Sequence, residues 1–290
     1  MQFVALADLA DLVWRSRRPK DKANYFADID RPGGPSGNEP TLIDLWSDPA
    51  NRTPQACTAS YGYLASPPVD GHRKALLSRA KQFYELMVSA VLAGDALKFI
   101  ALAGTMAHYV GDACQPLHVY RFHHGRPSHP EDSAVHEEYE TKLLDRFSAD
   151  LVRKVNAAID GRTMTSLTVG GDAVADCVVR LMGLTIARLN PATVIDRRIA
   201  TKCQNHTADL WAELGQDTAA AIAEGALCLV SLWQSAWVEG QGDQHIPTAD
   251  LDRAVNKNWS RSRYNALNFA TPDWLRKLSL ASSAEPVLVF

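Results

Sequence analysis

The chain reads as all-α, a single mainly helical domain over residues 1–290 with long surface loops. Three observations carry the helical part of that reading. Apolar residues recur at three- and four-residue intervals over long segments. Period-two alternation is scarce, its best case being the short SLTVGG at Ser166. The 290 residues are 46% hydrophobic and 22% charged, enough for a real core and typical of a globular chain.

Each element follows from its pattern. Leu76 to Leu92 is apolar at helical spacing and stops at Gly94-Asp95. Asp95 then caps a second helix, ALKFIALAGTMAHYVGD, which ends where Gln115-Pro116 disallows continuation. A third helix is expected from about Ser133 through AVHEEYETKLLDRFSADLVRKVNAAI. Others are expected over Ala173 to Leu189, Thr207 to Leu214 and Thr218 to Trp237, with a last one after Pro247 near Thr248 or Asp250. The apolar run Ala226 to Trp237 is too short to span a bilayer and reads as a buried core helix. Arg31 to Gly71, rich in Pro, Gly, Ser and Asn, reads as irregular, and His123 to Asp132 as a polar loop.

Composition excludes several classes. A formal charge of −3 gives no general footprint for duplex nucleic acid or anionic membrane. Five cysteines without CxxC spacing argue against a zinc ribbon or a redox dithiol; single bridges Cys57–Cys114 and Cys177–Cys203 stay open. The first residues, MQFVALADLADLVWR, lack a basic leader and do not read as a secretory signal.

The segment HYVGDACQPLH carries the chemistry. His108 and Asp112 stand four residues apart on one helix, so an imidazole and a carboxylate project from the same face about 6 Å apart along the axis. His118 follows the Pro116 break, where the chain turns. VHEEYETKLL then supplies a second such pair, His136 and Glu140. With His118 these make an N, N, O set that leaves a coordination position open, the arrangement a catalytic divalent metal needs. His123, His124 and His129 read as solvent-facing, Glu137 and Glu138 as a charged outer face, and His72, His206 and His245 as isolated.

HYVGDACQPLH resembles the His-x-x-x-Asp-x-x-x-x-x-His signature of the bacterial zinc-dependent phospholipases C and the single-strand-specific zinc nucleases. The His118-to-His136 spacing and the His-x-x-x-Glu that follows resemble the phospholipase side more. Upstream, ADLVWR offers Asp11, and NYFADID resembles the family's next segment; together the likeness runs from about Ala7 to Asp145. It implies a helical fold and phosphodiester hydrolysis at a cluster of up to three Zn2+ ions. Asp11, His108 and Asp112 would hold one ion, Asp112 bridging to a second, and His118, His136 and Glu140 the remaining one. Asp11 and Asp112 would be the catalytic carboxylates. The substrate would be single-stranded nucleic acid or phospholipid, met by a monomer without a stable partner, secreted or periplasmic as family members usually are. Tyr61, Tyr63, Tyr120 and Phe122, with Arg121 and Arg126, are the candidate contacts for a nucleic acid.

Two departures shape this expectation. Tyr25 stands where the family has a histidine ligand, and tyrosine with a pKa near 10 ligates zinc poorly at neutral pH. The family's N-terminal Trp and following His have no counterpart before Asp11, which leads to the expectation of a missing leading segment and one or two ions. The alternative is a catalytically impaired relative that keeps one zinc as a structural or binding element.

Overall fold

In a computed structural model, the chain is described over residues 25–48, 50, 53–65, 76–162, 169–200 and 206–255. Among these residues the regular structure is helical, with two isolated β-bridges, Pro32 with Thr41 and His123 with Gly125.

The centre is a helical hairpin. α3 (Leu76–Leu92) and α4 (Ala96–Ala113) pack together after a tight reversal at Gly94 and Asp95. Gly94 has φ +68°, and a Cβ there would press on the His245 carbonyl, so both conformation and space favour glycine. The Asp95 carboxylate accepts from the Lys98 N–H and caps α4. The run ALAGTMA gives α4 small residues along much of its length, so α3, α9 (Gly171–Arg188) and α11 (His206–Glu239) all reach it, and most of α4 is buried. One hydrophobic core joins these helices, with Phe83, Tyr84, Met87, Leu102, Met106 and Tyr109 among its largest members.

Smaller elements surround that centre. α1 (Leu42–Ser47) begins with a capping box between Thr41 and Asp44, and α2 (Pro54–Ala65) follows it. α5 (Pro116–Val119) is a single turn with Pro116 in its first position and the Gln115 side chain accepting from the Leu117 N–H. Then come α6 (Val135–Glu137), a π-helical segment Glu138–Leu143, α7 (Leu144–Arg146) and α8 (Ser148–Ile159). α10 (Pro191–Ala200), α12 (Gly242–His245) and α13 (Thr248–Val255) complete the order. Thr185 Oγ1 donates to the Ala113 carbonyl and ties α9 to the end of α4. Tyr84 Oη donates to Glu239 Oε2 at 2.6 Å, and the Gly170 N–H meets the same oxygen, so the far end of α11 is pinned to α3 and to the start of α9.

The all-α expectation holds; several element boundaries do not. The expected helix from Ser133 is interrupted by the π segment and again at Phe147, whose ring stacks on Trp211 at 5.1 Å. The two helices expected around Gly215 are one continuous α11, because Gly215 lies buried beneath the Trp211 ring and carries the helix through. Part of the stretch expected to be irregular folds as α1 and α2. Of the SLTVGG segment, residues 166–168 lie outside the described set.

Candidate metal centre

Three elements bring His118, His136 and Glu140 together. The end of α4, the Gln115-Pro116 turn and α5 place His118; α6 places His136; the π segment places Glu140. The wider π turn buries Tyr139 and Leu143 in the core while Glu140 stays toward His118. One donor atom from each of the three lies within 4.8 Å of the others.

Backbone carbonyls aim both rings. His118 Nδ1 donates to the Tyr25 carbonyl at 2.9 Å, with Asp112 Oδ1 at 3.4 Å. These two acceptors place a proton on Nδ1 and turn Nε2 toward Glu140 Oε2, 3.1 Å away. His136 repeats the pattern: Nδ1 donates to the His123 carbonyl at 2.7 Å, and Nε2 faces Glu140 Oε2 at 2.6 Å. A ring anchored through one nitrogen and presenting the other is the usual outer-shell arrangement of a metal-binding histidine. Gln115 Nε2 donates to the same Glu140 oxygen at 3.2 Å, so the residue that caps α5 also steadies the carboxylate. The segment carrying Tyr25 is held by Ala27 N–H donating to the His118 carbonyl and Ile29 N–H to the Val119 carbonyl.

The electrostatics follow from this packing. Burial opposes a charge on His118, but the Asp112 carboxylate, then Glu140, outweigh it and push the ring up to about 9. Burial also opposes the Glu140 carboxylate; hydrogen bonds from the two rings overcome that and hold it well below the usual range. Both shifts favour a charged His118 ring beside an ionised Glu140 carboxylate.

His108 and Asp112 do share a face, Nε2 to Oδ2 at 3.5 Å, and Asp112 links them to His118. Five of the six sequence-predicted ligands therefore adjoin one another, and Asp11 lies outside the described residues. Tyr25, expected in place of a ligand, is buried with its ring edge-on to His108 and stacked on Tyr109; its carbonyl serves the site. His123 is not solvent-facing, since it packs on Phe26 and meets Asp28 Oδ1 at 3.1 Å. Glu138 is not simply an outer-face charge, since it pairs with Arg198 and with His206, which is therefore not isolated. Sequence reasoning missed Gln115 as a partner of Glu140 and the Tyr25 and His123 carbonyls. The Gln-Pro turn was a signal for the first; a carbonyl leaves none.

Several of the residues expected as nucleic-acid contacts have partners within the protein. Tyr61 is buried in the core. Arg126 is held by the fully buried Asp132 and by Asp196, and Arg121 by Asp30 while lying over the Phe122 ring.

No family profile and no solved structure matches the chain. It is similar to a protein named probable serine protease from Bradyrhizobium tropiciagri, 31% identical over an alignment of 329 positions that covers 95% of this chain. The chain spans 41% of the length of that relative. The relative's name points to peptide-bond hydrolysis and corrects the expectation of a phosphodiester hydrolase of nuclease or phospholipase C type. What stands of the cofactor expectation is a His/His/Glu group able to hold a metal ion. Two helical stretches, Ala173–Ile199 and His206–Glu239, are long and apolar enough to cross a membrane by length and composition, with 50% and 39% of their apolar windows buried inside the protein.

Proposed function

We propose that the chain is a metal-dependent hydrolase module acting on peptide bonds, with one divalent ion held by His118, His136 and Glu140. The observation that carries the proposal is the convergence of two carbonyl-anchored imidazoles on one carboxylate oxygen. Two nitrogens and one oxygen suit zinc, and three protein ligands leave a fourth position for water or substrate, the layout of zinc peptidases. An ion there would acidify bound water and polarise a carbonyl.

The protein's own groups have separable tasks. Asp112 and the Tyr25 carbonyl keep the proton on His118 Nδ1, leaving Nε2 as the donor. The His123 carbonyl does the same for His136, and Gln115 fixes the rotamer of Glu140. Peptide bonds as the substrate class rest on the name of the Bradyrhizobium relative. The HYVGDACQPLH likeness supports a scaffold shared with the zinc phospholipase C/nuclease superfamily, and export from the cytosol is part of the same reading.

Metal analysis and a peptide assay test the proposal together. We expect about one zinc per chain, hydrolysis of an unstructured protein substrate such as casein, loss of activity with a chelator, and recovery with zinc. Metal-free protein, or activity that survives chelation and yields to a serine-directed reagent, overturns it.

A further inference from the structure

Cys177 on α9 and Cys228 on α11 face each other with their sulfurs 3.4 Å apart, and both are unbridged thiols. Sequence spacing leaves Cys177 open to a bridge with Cys203, which lies outside the described residues; the fold sets Cys177 against Cys228. Both side chains are only partly buried, whereas the nearby Cys114 is fully enclosed. Packing of α9 against α11 fixes the backbones that carry the two thiols. A disulfide needs its sulfurs at about 2.05 Å, so side-chain rotation with a small helix adjustment closes the gap.

We propose that Cys177 and Cys228 form a reversible modification site, oxidised to an intramolecular disulfide by low-molecular-weight disulfides such as oxidised glutathione. The Cys177 thiolate attacks the small disulfide, forms a mixed disulfide and releases one thiolate. The Cys228 thiol then gives up its proton to that thiolate, and its sulfur attacks Cys177 and expels the second thiolate, which is protonated by water. The net change is two protein thiols and one small disulfide converted into one protein disulfide and two small thiols. The order fits the Cys228 environment, where the contact with Cys177, then burial, keeps this thiol protonated well above its usual range. Cys114 is a poor competitor, because burial pushes its thiol up to about 12 and its sulfur donates to the Val110 carbonyl.

The bond would join segments 51 residues apart and brace α9, the helix that also packs on α5 behind His118. This inference does not depend on the proposed hydrolase chemistry.

The test uses the full chain, reduced and then equilibrated with glutathione buffers of increasing oxidised fraction, quenched in acid, alkylated and mapped without reductant. Expected are a linked peptide pair containing Cys177 and Cys228, a fall from five free thiols to three, and a rise in unfolding temperature of roughly 5–15 °C. Cys228→Ser is expected to stop at glutathione on Cys177 and to lose the temperature rise. A Cys114 linkage, glutathione on both sites without a bridge, or full alkylation of both residues in oxidising buffer would each overturn the proposal.

Discussion

Gln115 does two jobs with one side chain: its carbonyl oxygen caps α5 and its amide N–H holds Glu140. Gln115→Ala is expected to weaken metal binding 10–100-fold, the range for lost outer-shell partners, read by competition with a chromophoric chelator; unchanged affinity would remove Gln115 from the site. Asp30 reports on the adjoining strip of chain. Burial raises its carboxyl to about 6, against the lowering effect of Arg121. The folded pKa exceeds the unfolded value near 3.9, so folding takes up a proton between those values and stability falls as pH rises from about 4 to 6. Asp30→Asn keeps an acceptor for the Arg121 N–H and is expected to flatten that decline, by at most about 3 kcal/mol; parallel denaturation curves at each pH decide it. At this scale the sequence was informative wherever spacing makes a pattern, as with His108/Asp112 and His136/Glu140. It was silent on the carbonyl anchors, which arrive through pairing between segments that are distant in the chain.

Elements show where local rules give way to packing. Separate helices are expected from the sequence over Thr207 to Leu214 and Thr218 to Trp237; inside the continuous α11 the missing side chain of Gly215 makes room for the Trp211 ring, which lies against Phe147. Gly225, ten residues on, serves the contact between α11 and the end of α4: a Cβ would run into Cys114 Sγ, with the Val110 carbonyl at 3.8 Å. Gly225→Ala is therefore expected to cost about 1–3 kcal/mol despite its better helix propensity. Adding Cys114→Ala should recover much of the loss, and a double-mutant cycle without coupling would refute the contact. The π segment is a similar case. HEEYETKLL reads as ordinary helix by composition, and the wider turn over Glu138–Leu143 appears only in the fold.

For the molecule as a whole, the candidate metal centre lies where the chain segment around Tyr25, the end of the central hairpin and the π segment converge. An ion there would bind the folded state selectively, so zinc at 100 times its Kd should add about 2.7 kcal/mol and raise the unfolding temperature by roughly 5–10 °C. His136→Ala should abolish that rise while leaving helical circular dichroism unchanged; a rise that persists would place the ion elsewhere. Helical class and the hairpin were legible because amphipathic period and caps are local. How α9 and α11 reach α4 was not, since it depends on small residues whose meaning appears only when helices approach.

The anchoring of His118 through the Tyr25 main chain has a consequence for descent. Every amino acid carries a carbonyl, so position 25 can drift in identity while still orienting the imidazole, provided its replacement fills the space beside His108 and Tyr109. Selection on this support acts through loop path rather than residue type, and relatives with the same centre can share little letter-by-letter agreement there.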